Sequence, residues 1–195
     1  MRLWTVQTID VYNQVMSAGG YRVNPNHPDS CESQFDMFKE AYAWLHGKAA
    51  ERGLVDNGRG MIWAWYRFNG ESRRKPDVRT LRKESTAGKE LCCLTLEVPE
   101  DKVLLMDSDQ WQCRLSGFAC VTAEQEAMDS DEYIRWLDGL YARPEADRRQ
   151  YDASTWDLVF DTSRGGRTEA VFFGLERSMI KEVQFFTGAG RGEDE

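Results

Sequence analysis

An α+β fold is what this sequence predicts, on three observations. Runs with the alternation or the β-branched and aromatic content of strands outnumber runs with helical periodicity. The two kinds occur in mixed order along the chain. No internal repeat and no long linker divides the 195 residues, a length within the roughly 100 to 200 residues of a single domain. One core is therefore expected over residues 1–187, with 188–195 as a flexible acidic tail short of apolar residues.

The elements follow in order. Arg2 to Gln7 alternates as a strand, and Thr8 with Asp10 reads as a helix start. That helix carries Val11, Tyr12, Val15 and Met16 and stops at Gly19-Gly20, where glycine tolerates a left-handed exit. Asn24, Pro25, Asn26, Pro28 and Asp29 make the next stretch a loop. Ser33 is placed to cap a second helix, with Phe35, Phe38, Tyr42 and Leu45 at helical spacing on its core side before Gly47. Met61 to Phe68 is a strand with Asn69-Gly70 as its turn, and Glu71 to Lys89 is a long charged loop. Glu90 to Val98 and Lys102 to Met106 read as a hairpin about Pro99-Glu100-Asp101. Thr122 and Ser130 are candidate caps for a helical region with Met128, Ile134, Leu137 and Tyr141 on one side, closed by Pro144. Glu145 to Asp152 is a charged connector, Ser154 a candidate cap for a short turn through Trp156 and Phe160, and Ser163 to Arg167 a turn. Thr168 to Gly174 and Met179 to Phe186 are the last strands.

The stretch Gly60 to Arg82 (GMIWAWYRFNGESRRKPDVRTLR) concentrates the chemistry. Alternation puts Ile62, Ala64, Tyr66 and Phe68 on one face and Met61, Trp63, Trp65 and Arg67 on the other. Large aromatics on both faces make it a central strand. Trp63 and Trp65 serve either as packing or as a stacking wall beside the Arg cluster, an arrangement suited to a nucleotide or another flat anion. Asp107 and Asp109 after the KVLLM run could hold Mg²⁺ or do acid and base work, the basis for a nuclease or hydrolase, but no third ligand is visible and both residue types also end strands.

Composition narrows the class. Hydrophobic residues are 41%, aromatics 12% and charged residues 30%, a globular profile. A net charge of −8 argues against broad nucleic-acid binding, which draws on Lys and Arg neutralising phosphates. No apolar run approaches the roughly 20 residues that span a bilayer, and MRLWTVQTID lacks the plan of a signal peptide, so a cytoplasmic protein with no membrane partner is expected. Only two histidines, and five cysteines without metal-ligand spacing, make a metal site unexpected.

LWTVQ, IWAWY with KPDVR, VLLMDSDQW, the segment around Trp156 and the closing strand pair together resemble an uncharacterised bacterial family that shares this pattern over nearly the whole chain. More remotely, the order of elements resembles the ADP-ribosyltransferase fold: a first strand, a helix, a glycine-ended turn, an aromatic middle strand and a late strand bearing Glu. That resemblance implies two facing sheets, mixed or antiparallel, with flanking helices and NAD as substrate in the cleft between them. It implies a catalytic Glu169, which steadies an oxocarbenium-like ribose. It also implies a cofactor set in which Thr5 and Gln7 lie on the first strand, Trp63, Trp65 or Tyr66 stacks on nicotinamide, and Arg79 or Arg82 pairs with pyrophosphate. Thr5 stands where such enzymes carry His or Arg. Two functions follow as expectations: an NAD-dependent ADP-ribosyltransferase acting on a macromolecular target, or a non-catalytic protein on the same fold that binds a partner or small ligand.

Cys31, Cys92, Cys93, Cys113 and Cys120 are an odd set, and the adjacent pair on a strand would point to opposite faces. All five are expected as reduced thiols. Alkylation of the unfolded chain without reductant, read by mass spectrometry, should label five sites, and any disulfide overturns the expectation.

Overall fold

In the computed structural model, which describes residues 1–27, 32, 36–70, 73–164 and 166–190, Thr8 both ends the first strand and starts the first helix. Strand β1 is Arg2–Thr8, and the Thr8 hydroxyl accepts from the Val11 N–H at 3.3 Å to cap helix α1, Ile9–Ala18. Gly19, at φ 81°, takes the left-handed exit the sequence predicts. Helix α2, Asp36–Glu51, runs through Gly47 instead of ending there, and the left-handed Gly53 at φ 80° follows it. The predicted cap Ser33 and the apolar Phe35 lie outside the described residues.

Six strands make one antiparallel sheet in the order β5-β6-β3-β1-β4-β8. They are β1, β3 (Ile62–Arg67), β4 (Glu90–Glu97), β5 (Leu104–Asp107), β6 (Thr168–Phe172) and β8 (Ile180–Thr187). Strands β2 (Gly20–Tyr21) and β7 (Leu175–Glu176) form a separate two-stranded ribbon. In place of two large sheets, one sheet holds nearly all the strand residues. The aromatic strand β3 is central, as predicted, with β1 on one side and β6 on the other.

The expected hairpin of β4 and β5 is not formed. Successive antiparallel pairings through β1, β3 and β6 leave β4 and β5 running the same way, three strands apart. Their sequence proximity misled because Val98 and Val103 of the connection are drawn into the core instead of turning at an edge.

Opposed residues of an antiparallel ladder share a face, so the register sorts the side chains. Leu3 opposes Leu96, Thr5 opposes Leu94, Ala64 opposes Ala170 and Ile62 opposes Phe172. This face receives Val15 of α1. On the other face Trp4 opposes Trp65, Trp65 opposes Glu169, Glu169 opposes Met106 and Trp63 opposes Val171. That face receives Ala41, Tyr42 and Leu45 of α2 and Trp111 of helix α4, Ser108–Leu115.

Two segments read as a loop and a connector contain helices, and the helical region expected after Thr122 forms as two helices. Within Glu71 to Lys89, helix α3 spans Val78–Glu84, capped by Asp77, and buries Leu81. Helix α5 is Ala123–Glu126, with a capping box of Thr122 and Gln125, and helix α6, Ser130–Tyr141, is capped by Asp129 with Glu132. Ser130 is thus the first helical residue and not the cap. On α6 it is Leu140 that is buried, whereas Ile134 and Tyr141 are exposed. The charged stretch after Pro144 is helix α7, Glu145–Thr155, and a short 3₁₀ turn follows at Trp156–Phe160. Gly188, Ala189 and Gly190 are hydrogen-bonded to the backbone of Lys89, Arg82 and Ser85, while 191–195 lie outside the described residues. Cys92, Cys93, Cys113 and Cys120 are free thiols, and Cys31 is also outside the described residues.

One polar clamp joins α2 to the start of β3. His46 on α2 meets Asp56 through Nδ1 at 2.6 Å and Glu32 through Nε2 at 2.9 Å. The other oxygen of Glu32 accepts the Met61 N–H at 2.6 Å. Two carboxylates on one ring favour the imidazolium, which can donate from both nitrogens. The Glu32 bond raises the His46 pKa, burial opposes it, and the Asp56 bond adds to the rise. A raised histidine pKa stabilises the fold fully below the ordinary value of about 6.5, and the gain is lost as pH climbs through the raised value. Denaturant unfolding should therefore show a wider stability gap between wild type and His46→Gln at pH 6 than at pH 9.

Candidate functional site

The sheet face that carries Glu169 opens into a pocket of about 280 Å³ between α2, β3, α4 and β6. Phe38 and Tyr42 come from α2, Trp63 from β3, Trp111, Gln112 and Leu115 from α4, and Glu169 from β6. Three of the rings hold one another: Trp63 and Trp111 lie 5.5 Å apart, tilted by 33°, and Tyr42 meets them edge-on at 6.0 and 5.6 Å. Such edge and tilted contacts fix ring orientation, so the wall is preformed.

Asp107 builds the α4 side of the site. It ends β5 opposite Thr168, and its carboxylate accepts the N–H groups of Asp109 and Gln110, both at 3.0 Å, capping α4. That cap starts the helix where Ser108, Trp111, Gln112 and Leu115 face the strands. The Ser108 hydroxyl donates to Glu169 Oε1 at 3.2 Å. Glu169 Oε2 is buried with no hydrogen-bond partner among the described residues.

Burial is the main reason that the Glu169 pKa is pushed up to about 7. The Ser108 bond and the Arg167 guanidinium pull it down, whereas Asp107 and Asp109 push it further up. A carboxyl with such a value is shared between its neutral and charged forms near neutrality, so it can donate to a carbonyl or ring nitrogen, or accept from an amide. It is also poised for proton transfer. Among the described residues no group of three or more His, Cys, Asp or Glu side chains is arranged to hold a metal ion.

The site residues expected from sequence are divided by the sheet. Trp63 and Glu169 meet in the pocket, and Trp65 shares their face but packs on Phe68 beneath Arg167. Thr5 and Gln7 are on the α1 face: Thr5 is buried and donates to the Trp63 carbonyl at 2.7 Å, and Gln7 donates to Thr5 at 2.8 Å. Tyr66 also turns to the α1-side core, with Arg73 over its ring at 4.2 Å. Arg79 and Arg82 are on α3, the first ion-paired with Asp77 at 2.7 Å and the second donating to the Thr187 carbonyl at 3.1 Å. None of these five lines the pocket.

Sequence reading missed the α4 contribution of Ser108, Trp111, Gln112 and Leu115. The signal was present: an Asp followed by an acid in the first turn, with Trp111 and Leu115 spaced by four.

The fold and the pocket define an α+β protein that buries a carboxylic acid under aromatic rings on one face of an antiparallel sheet. Over residues 2–181 the sequence matches the family described as a domain of unknown function, DUF3841, and the chain belongs to that family. No curated protein and no solved structure matches it. No helix among the described residues is long and apolar enough to cross a membrane.

Glu169 links the site to stability. In the unfolded chain its carboxyl ionises near the ordinary 4.5, and in the folded chain near 7. Between these values the native state keeps a proton that the unfolded state has lost, so stability falls as pH rises through the window, by on the order of 3 kcal/mol. Urea unfolding across pH 4.5 to 8 should show this fall in wild type and a flatter profile in Glu169→Gln.

Proposed function

We propose that this protein binds a flat heteroaromatic ligand bearing an amide or ring-nitrogen edge, of the nicotinamide or nucleobase kind, in the pocket over Glu169. The observation that carries the reading is the partnerless Glu169 Oε2 beside the Trp63, Trp111 and Tyr42 rings. The rings offer faces or edges for a planar group, and Glu169 and the Gln112 amide offer donors and acceptors at its edge. A pocket of about 280 Å³ suits one or two fused rings; typical ligand pockets run from roughly 300 to 1,000 Å³.

The second reading is an NAD-dependent ADP-ribosyltransferase on an ADP-ribosyltransferase-like fold, with a macromolecular acceptor. It is favoured by Trp63 and Glu169 sharing one wall, since a ring stacked on Trp63 would bring an attached ribose toward the carboxylate. In that reaction the nicotinamide–ribose bond breaks, the bonding pair leaves with nicotinamide, and Glu169 as carboxylate steadies the cationic ribose until the acceptor attacks. Binding without transfer is the preferred reading because no cation among the described residues lines the pocket to meet a pyrophosphate. Arg79 and Arg82 have other partners.

Thermal melts with millimolar nicotinamide, adenine and NAD separate the two. Binding of the ring alone predicts that nicotinamide or adenine raises the Tm and that NAD adds nothing beyond its ring and is not cleaved. Glu169→Gln should then weaken binding about tenfold, the equivalent of ~1.4 kcal/mol. Release of nicotinamide from NAD that Glu169→Gln abolishes would establish the transferase instead. No shift with any of the three sinks both readings.

A further inference from the structure

A second and larger cavity, of about 470 Å³, lies between α4, α6 and α7 and has no part in the Glu169 pocket. Cys113 faces it from α4, Tyr133, Trp136 and Leu137 from α6, and Asp152 from α7. Its volume falls within the range of small-molecule sites. Phe118 and Tyr141, exposed by 56% and 53%, are also part of its lining, so large apolar side chains remain in contact with solvent there.

The charges in this lining are unequally matched. Arg149 is ion-paired with Glu145 at 2.6 Å, and the Arg148 guanidinium stands over the Tyr141 ring at 5.6 Å. Asp152, only 8% exposed, makes no ion pair with any described residue; the Arg148 charge favours its ionised form without contacting it, and the Ala119 N–H donates to it. A carboxylate withdrawn from water is costly unless a cation or several donors meet it. In the same lining the Tyr133 and Trp136 rings lie 5.5 Å apart at 31°, and Tyr151 stands 6.0 Å from Trp136. The faces of aromatic rings carry negative potential and attract cations.

We propose that this cavity is a binding site for an organic ammonium, an amine carried on an apolar or aromatic body, whose cation is received by Asp152 and the rings of Tyr133 and Trp136. The body of the ligand lies against Leu137 and Leu140, which also line the cavity. An anionic ligand would need Arg148 or Arg149 to leave the partners they have, and it would meet Asp152 as a like charge.

The test uses the full chain and three probes of one shape: phenethylamine, phenethyl alcohol and 3-phenylpropionate, titrated calorimetrically at neutral pH. The amine should bind about tenfold or more tighter than the alcohol, with the acid weakest. Asp152→Asn should erase the preference for the amine. In wild type, bound amine should also slow alkylation of Cys113. Equal binding of amine and alcohol, tighter binding of the acid, no binding of the amine, or an unchanged preference in Asp152→Asn would each overturn the proposal. Should Asp152→Asn fail to fold, Leu137→Trp, at a half-buried position, fills the cavity, and amine binding that survives it overturns the proposal equally.

Discussion

Trp65 stands opposite Trp4 on one side and opposite Glu169 on the other, and this register of β3 decides what each face of the sheet can hold. Shifting β3 by one residue would send Ile62 and Ala64 to the face of α2 and Trp63 to the face of α1, since strand side chains alternate. The apolar contacts of both faces would then be lost together. The observed register is held on both sides of the strand: Thr5 reaches across from β1 to the Trp63 carbonyl, and the Arg67 guanidinium bonds Thr168 and the Thr162 carbonyl. Thr5 therefore has a structural task, and its place in the first strand is explained without a ligand.

The burial of Glu169 is the cost accepted by this arrangement. Its strand neighbours on the same face are Trp65 and Met106, which offer no charge to offset a carboxylate. Among the described residues, the side-chain hydrogen bond it receives comes from Ser108. A glutamine would fill the same space without the desolvation penalty of a charge, and so the acid is destabilising above its unfolded pKa. Groups of this kind gather at functional sites, where strain is retained for what it does.

Local chemistry made much of the fold legible. Thr8 and Gly19 bound α1 because a cap hydroxyl and a left-handed glycine act within one turn. The β3 strand was legible from its aromatic alternation. What was not legible depended on distance. The β4–β5 connection looks local in sequence, yet its course is set by burial of Val98 and Val103. Charge density in the 73–83 stretch announced arginines without their direction, and the burial of Leu81 turns α3 so that Arg79 points to solvent. The run after Pro144 looked like a connector because its polar residues outnumber the buried Asp152 and Thr155.

Helix α4 is a party wall. Trp111, Gln112 and Leu115 furnish one room and Cys113 the other, on a helix of eight residues pinned at its start by Asp107. Near its end Arg114, 2% exposed, is laid on the Trp156 ring at 3.7 Å and bonded to the Glu40 carbonyl. The two linings are therefore not independent: a substitution on α4 that displaces its axis would alter both rooms at once.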